Sequence, residues 1–507
     1  METFFWWSDE QKKLAAGIKE FVDELMPRAE EASWKQEFPW DIVESIASRG
    51  YFGAGIAKEY GGMGLGVTGT CIVNEEIGRM PALGAGIFGA SILGGVHQIK
   101  GFGTEEQKAR FLARVAKGEL GAIAITEPFA GTDVAGIETT ARRDGNNYII
   151  NGKKRFVTGT GTASRYMLYA RTSDDPETLR HNRHITGFIV EKGMPGFNVE
   201  KINELIGWDN IYNGYLNLDE VPVPVDNRIG DEGQGWQIMV SGFNYERVLT
   251  ASLAVGGFRE LLKSVVSYGQ RRIQFGQPTI NLTNNQFKIA DMLAELKLSR
   301  LSMYYAAQLM DLGQQAAVEA SISKLYSTDM LMRSSIEAIE VMGGDGVTKF
   351  YPLDRIMREA KIGQIAGGTS EAMKLLIYRM GLREMAKELK MPRRVIHEEL
   401  GVPMPTSVAP AKKPQIDDSR LLNVLAEDYR VNPGLYMSRE DLKEQFDVSD
   451  EELDRVLVSL EEKKLVKLYQ RRGTIELAKA TYQGLKKANP PEYYRWFAPR
   501  VRKEDIF

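Results

Sequence analysis

Apolar residues recur at helical spacing through the first 120 positions, with Phe21, Val22 and Leu25 on one stretch and Ile42, Val43 and Ile46 on the next. Ser8 followed by Gln11 has the form of a capping box and marks the start of the first helix. The apolar run Phe4 to Trp7 just before it is read as packing ahead of that cap. Tyr60 to Gly66 carries four glycines and interrupts the helices. These are read as turns needing positive φ, because no Lys-Ser/Thr pair follows to make a phosphate loop. Between Pro81 and Val96, small residues such as Gly84, Ala85, Gly86, Gly89 and Ala90 give poor helix propensity and suggest close packing or a cavity wall left open.

The period then changes. From 121 to 235, β-branched and aromatic runs at 148–150, 166–170 and 185–190 are separated by turn signals at 144–147, 151–152 and 195–196, which predicts a β-domain. From 236 to 385 long helical patterns return through Leu253, Leu261, Leu262 and Val265, then Met292, Leu293 and Leu296, then Ile336, Ile339 and Val341, which predicts a helical bundle. Residues 386–418 hold five prolines among charges and suit an extended linker. The remainder, 419–507, reads as a helix at 421–427, capped helices at 438–446 and 449–463, strands at 465–468 and 474–477, and a final helix. That order resembles a winged helix-turn-helix. The fold class expected is therefore α+β multidomain: an N-terminal helical domain (1–120), a middle β-domain (121–235), a C-terminal four-helix bundle (236–385), and a small winged-helix-like extension.

Composition narrows the function. The chain has 507 residues, 43% hydrophobic and 26% charged, with a net charge of −3. That balance gives no chain-wide basic footprint for a phosphate backbone, and the extension from Arg420 to Phe507 carries 17 Lys plus Arg against 16 Asp plus Glu. Nucleic acid is not expected as a partner. One cysteine, Cys71, and four histidines offer neither an internal disulfide nor clustered metal-ligand spacing. With no secretory signal pattern and no run of 18 apolar residues, a cytoplasmic location without a membrane span is expected.

Five segments carry a family signature. Ala122 to Asp133 and Tyr148 to Gly159 together resemble the flavin-holding β-domain of the acyl-CoA dehydrogenases, and Arg272 to Gly276, Met342 to Gly346 and Gly367 to Glu371 resemble three further motifs of that family, in its order and at its spacing. The resemblance covers about residues 8–385. It implies a helical, β, helical fold with one FAD per subunit, in a homotetramer or homodimer. Thr126 and Thr158 match positions that hydrogen-bond the isoalloxazine, Phe156 an aromatic position against the ring, and Thr132 a hydroxyl facing cofactor or CoA. Arg272, Phe275, Glu340, Gly343 and Gly344 match residues reaching the FAD of a neighbouring subunit. At Glu340 relatives often carry a neutral amide, and a carboxylate there is repelled by the diphosphate unless it pairs with a cation or turns away. Thr369 and Glu371 are carried over as further cofactor contacts, and Asn244, Arg247 and Gly368 as substrate contacts.

The reaction implied is α,β-dehydrogenation of an acyl-CoA, in which a base takes the α-proton while the β-hydrogen passes as hydride to the flavin. In many members the base occupies the position of Gly367, which here has no side chain. Its N–H still serves as a donor to the thioester carbonyl. A subset, including the isovaleryl- and long-chain-type enzymes, places a glutamate just before an arginine on the adjoining helix, and Glu246-Arg247 matches that pattern. Glu246 is the expected base and Arg247 the organiser of the Gly367 loop. Burial should raise the proton affinity of Glu246 toward its working range. The small residues near 81–96, with no arginine among them, suggest a branched, cyclic or longer acyl chain. Electron-transferring flavoprotein or a similar acceptor is the partner implied. The alternative is a non-catalytic acyl-CoA sensor that signals through the winged-helix-like extension.

Overall fold

The computed structural model describes residues 3–81, 89–385, 414–431, 435–471 and 473–488. Two compact units emerge, Met1–Ala386 and Lys387–Phe507.

The first unit opens with helices α1 (Asp9–Lys35), α2 (Trp40–Ser48), α3 (Gly66–Ile77), α4 (Ala90–Leu93), α5 (Val96–Phe102) and α6 (Glu105–Ala116). Both halves of the Ser8–Gln11 capping box form, and Thr104 with Gln107 repeats it at α6. Ahead of α1, Phe4 stacks on Trp6 and Trp7 packs edge-on to Tyr304, while Phe5 faces out. The glycine-rich loop ends at α3, whose first free amides, Val67 N and Thr68 N, donate to the Asp311 carboxylate at 2.6 and 2.9 Å. That carboxylate satisfies the helix N-terminus. Cys71 lies buried behind it. Gly84, Ala85 and Gly86 lie outside the described residues.

An eight-stranded sheet follows: β1 (Gly121–Ala124), β2 (Thr140–Asp144), β3 (Asn147–Thr158), β4 (Arg165–Arg171), β5 (Ile185–Glu191), β6 (Phe197–Ile202), β7 (Asn213–Pro224) and β8 (Arg228–Ile229), with the short α7 (Pro176–Arg180) between β4 and β5. Its order is β6-β7-β3-β2-β4-β5-β8, with β1 paired to β4. Strand β4, buried over six of its seven residues, is central, with an apolar and aromatic run from Tyr166 to Ala170 after the buried Arg165, whereas edge strand β6 is largely exposed.

The chain then enters α8 (Gly235–Arg271), turns through β9 (Ile273–Gln274) and β10 (Gln277–Pro278), and returns in α9 (Thr283–Asp311), α10 (Ala317–Met342), α11 (Leu353–Ile365) and α12 (Ser370–Met385). Helix α8 packs against α3, α9 and α10, so the first helices and the bundle share one apolar core. The α3 and α8 backbones come close at Gly256, where a Cβ would stand 2.2 Å from the Glu75 carbonyl oxygen. Glu75 itself is held by Arg259, Arg300 and Tyr304. A buried carboxylate so surrounded clamps α3 to α8 and α9.

The second unit runs helix Asp418–Val431, strand Met437–Ser438, helices Arg439–Gln445 and Asp450–Glu462, strands Val466–Arg471 and Thr474–Ala480, and helix Tyr482–Ala488. Ser438 and Ser449 cap their helices as expected. The two-residue strand at 437–438 was not legible; it pairs with Thr474–Ala480, the middle strand of three. Leu421, Leu425, Leu453, Leu457 and Ala478 form this unit's own core.

Candidate active site

A cavity of about 820 Å³ opens between the sheet, α8 and the turn joining α11 to α12. Three features of the β-domain position its polar wall. Lys154, fully buried on β3, pairs with Glu127 at 2.6 Å and donates to the Ile125 carbonyl. Glu127 in turn accepts the Glu138 and Thr139 amides. Burial pulls Lys154 down to about 8 although Glu127 opposes the shift. The pair therefore ties the loop after β1 down onto β3, and Arg155 N completes the join by donating to Thr126 O at 2.7 Å.

At that join β3 bulges, its register shifting between Lys154 and Val157, and Phe156 takes a left-handed backbone with φ of 56°. A bulge of this kind re-aims side chains. Here it leaves the Phe156 ring 49% exposed on the cavity wall with the Arg155 guanidinium 4.2 Å from its centre. Asn213 donates to Phe156 O and to Thr158 Oγ1, both at 3.0 Å. Because Thr158 Oγ1 is the acceptor in that bond, its own O–H remains as a donor for the cavity. Thr126, Thr132, Phe156 and Thr158 all line this wall, joined by Arg155 and Asn213.

The opposite wall belongs to the helices. Glu246 sits on α8 in the stretch that also contributes Phe243, Arg247, Leu249 and Thr250, and it faces Gly367. A Cβ built on Gly367 would lie 3.3 Å from both Glu246 Cγ and Oε1, and Gly367 has φ of 67°. A side chain at 367 would therefore be conformationally strained and would press on the Glu246 carboxylate. The two positions share one space. Burial raises the proton affinity of Glu246, and Arg247 and then Lys324 oppose that rise.

Gly368 and Thr369 also line the cavity, and Thr369 caps α12 by accepting the Ala372 amide at 3.2 Å. Glu371, in the first turn of α12, is exposed and outside the lining, where the helix terminus and Thr369 lower its pKa. Arg247 lines the cavity but its hydrogen bond goes to Asn244 Oδ1 at 2.9 Å, not to the Gly367 turn it was expected to organise. Asn244 itself is absent from the lining, its amide being engaged with Arg247. The cation on the turn is Lys324, which sequence reading missed. The signal was present: Lys324 falls on the buried face of α10 with Ala320, Ser327 and Leu331, where a lysine interrupts a run of small and apolar residues.

A second group of expected residues lies away from the cavity. Arg272, Phe275, Gly343 and Gly344 are exposed, Phe275 at 89%. Glu340 is exposed as well and forms an ion pair with Lys288, which also holds Glu337. Glu340 therefore shares one cation with Glu337.

Family models match nearly the whole first unit: the acyl-CoA dehydrogenase N-terminal domain over residues 8–119, the middle domain over 122–221 and the C-terminal domain over 233–382. The chain belongs to the acyl-CoA dehydrogenase family. It is 34% identical over 372 residues to an acyl-CoA dehydrogenase of Bacillus subtilis, covering 73% of this chain and 97% of that protein. It is 36% identical over 374 residues to a cyclohex-1-ene-1-carbonyl-CoA dehydrogenase of Geobacter metallireducens, covering 73% and 97%. Among solved structures, butyryl-CoA dehydrogenase of Megasphaera elsdenii superposes with a TM-score of 0.72 at 33% identity, over 75% of this chain and all of that one. A chain in the structure of the electron transferring flavoprotein of Acidaminococcus fermentans gives the same four values. Acyl-CoA dehydrogenases are FAD-dependent oxidoreductases. The wall built by Thr126, Phe156 and Thr158 suits such a group: it offers a flat apolar ring, an uncommitted hydroxyl donor and, in Arg155 Nε, a buried N–H without a protein partner. No described helix is long and apolar enough to cross a membrane.

Proposed function

We propose that this acyl-CoA dehydrogenase removes the α- and β-hydrogens of an acyl-CoA thioester, with Glu246 as the base that takes the α-proton. The observation that carries the reading is the direct apposition of Glu246 to Gly367 on the cavity wall, where burial favours the protonated carboxyl. An α-proton beside a thioester is too weakly acidic for an unaided carboxylate, so charge growing on the carbonyl oxygen needs donors. The Gly367 N–H is the protein's candidate donor. Thr126, Phe156 and Thr158 would hold FAD, which would supply the hydride acceptor for the β-hydrogen. Thr132, Arg247 and Gly368 are the proposed substrate contacts within the lining, and Asn244 contributes by holding Arg247. Arg272, Phe275, Gly343 and Gly344 are proposed to reach the FAD of a second copy, which makes the working form a homodimer or homotetramer. Exposed apolar residues on the bundle, among them Phe287, Leu298 and Phe350, support association.

The apolar lining, including Leu93, Ile123, Leu249, Leu253 and Leu376 with Gly89 as a small residue, supports a branched, cyclic or longer acyl chain. Electron-transferring flavoprotein is the proposed acceptor. The rival reading, a sensor acting through a winged-helix-like unit, is disfavoured as a DNA reader: helix Asp450–Glu462 carries six carboxylates against the single Arg455, and such a face repels phosphates.

Anaerobic mixing of the FAD-loaded protein with butyryl-, isovaleryl-, cyclohexanecarbonyl- and palmitoyl-CoA tests the proposal. Bleaching of the oxidised flavin band by at least one thioester is expected. Binding of these thioesters with no bleaching by any of them would favour the sensor.

A further inference from the structure

The turn that carries Gly367 is gripped from outside the cavity. Lys324 is fully buried on α10 and donates to the carbonyls of Gln364 at 2.9 Å and Gly368 at 2.7 Å, one on each side of Gly367. On the same helix, Asp329 accepts Gln364 Nε2 and Ser370 Oγ, both at 2.8 Å. One lysine and one aspartate thus fix both ends of the turn. A buried ammonium is costly where a methionine would fill the space, which points to a task for its charge. The carboxylate across the turn is Glu246.

We propose that Lys324 is a positioning residue for the base, holding the Gly367 turn against Glu246 and supplying a positive charge that favours the Glu246 carboxylate. This rests on Glu246 being the base. Glu246 has Arg247 beside it on α8, Lys324 from α10, and the Tyr169 phenol from β4, whose own rise in pKa owes a part to Glu246. Lys324 faces Asp329 on its own helix, Glu246 and Arg247 on α8, and Glu371 on α12. Burial draws Lys324 down to about 8, while the carboxylates of Asp329, Glu246 and Glu371 favour its protonated form. Arg247 and Lys324 are the two cations that oppose the upward shift of Glu246. Glu246 can take a proton only when ionised, so turnover rises with pH through its pKa. Removing the Lys324 charge lifts that pKa and moves the rising limb to higher pH, by about one unit.

Infrared difference titration of the FAD-loaded protein tests this directly, following the carboxyl band that Glu246→Gln removes. Lys324→Gln keeps a donor for the turn without the charge, and Lys324→Arg keeps both. The expected result is a midpoint raised by about one pH unit in Lys324→Gln and unchanged in Lys324→Arg. The same shift should occur in the acid limb of single-turnover flavin reduction by whichever of the four thioesters above bleaches the wild type. A midpoint in Lys324→Gln equal to wild type would overturn the proposal, because a lysine with a purely structural role would lower thermal stability without moving the titration of a carboxyl on another helix. If Lys324→Gln fails to retain FAD, Lys324→Met and Lys324→Arg are compared in its place on the same criterion. Wild-type flavin reduction by Glu246→Gln would defeat the base assignment instead, a result separable from the midpoint of Lys324→Gln.

Discussion

The expected cofactor and substrate residues fall into two groups that the structure treats differently. Around Glu246, residues from the β1 loop, β3, α8 and the Gly367 turn converge on one cavity within a single chain. Around Arg272, residues from the β9–β10 turn and the end of α10 stand exposed. The inner group is finished by intramolecular contacts: Lys154 with Glu127, Asn213 with Thr158, Lys324 with the turn. Apart from the ion pair of Glu340, the outer group presents backbone and side chains to solvent. Under the proposed function, the reacting end of the site is built within the protomer and the outer group is left free to meet the cofactor of a second copy.

Substituting the inner group should have the largest effect. Gly367→Val places a branched side chain at a positive φ and against Glu246, and stopped-flow flavin reduction should slow by roughly a hundredfold or more while FAD stays bound. Near-normal rates would mean the turn is not near the reacting atoms. Arg272→Ala should spare flavin reduction in the loaded protein but weaken FAD retention about tenfold, a cost of roughly 1.4 kcal/mol, with a stronger loss on dilution if the site spans two copies. Equal retention at all protein concentrations would remove the outer group from the site. Glu340→Gln should change FAD affinity by less than about twofold, since the carboxylate is exposed to solvent and shares Lys288 with Glu337. A large gain on that substitution would mean the carboxylate opposes the diphosphate after all.

Much of this division was legible beforehand. Apolar spacing located the helices and strands, and serines at 8, 438 and 449 marked helix starts that the structure keeps. Glu246 and Gly367 were recognisable because a missing carboxylate at one motif position matched a glutamate at another. The support around them was not. A lysine such as Lys324 or Lys154 is normally a surface residue, and its burial depends on partners 27 to 44 positions away that no local period reveals. The left-handed Phe156 is set by a bulge between strands, which depends on pairing across the sheet rather than on the residue itself. The short strand at 437–438 is defined by pairing with its neighbour at 477–478.

The central claim is that Glu246 takes the α-proton, and the most direct test compares wild type with Glu246→Gln, both loaded with FAD, on rapid mixing with the thioester that bleaches the wild type. The substitution keeps size and shape but removes the base, so flavin reduction should fall by about a hundredfold to ten-thousandfold while the thioester still binds and perturbs the flavin spectrum. Reduction at the wild-type rate would contradict the account.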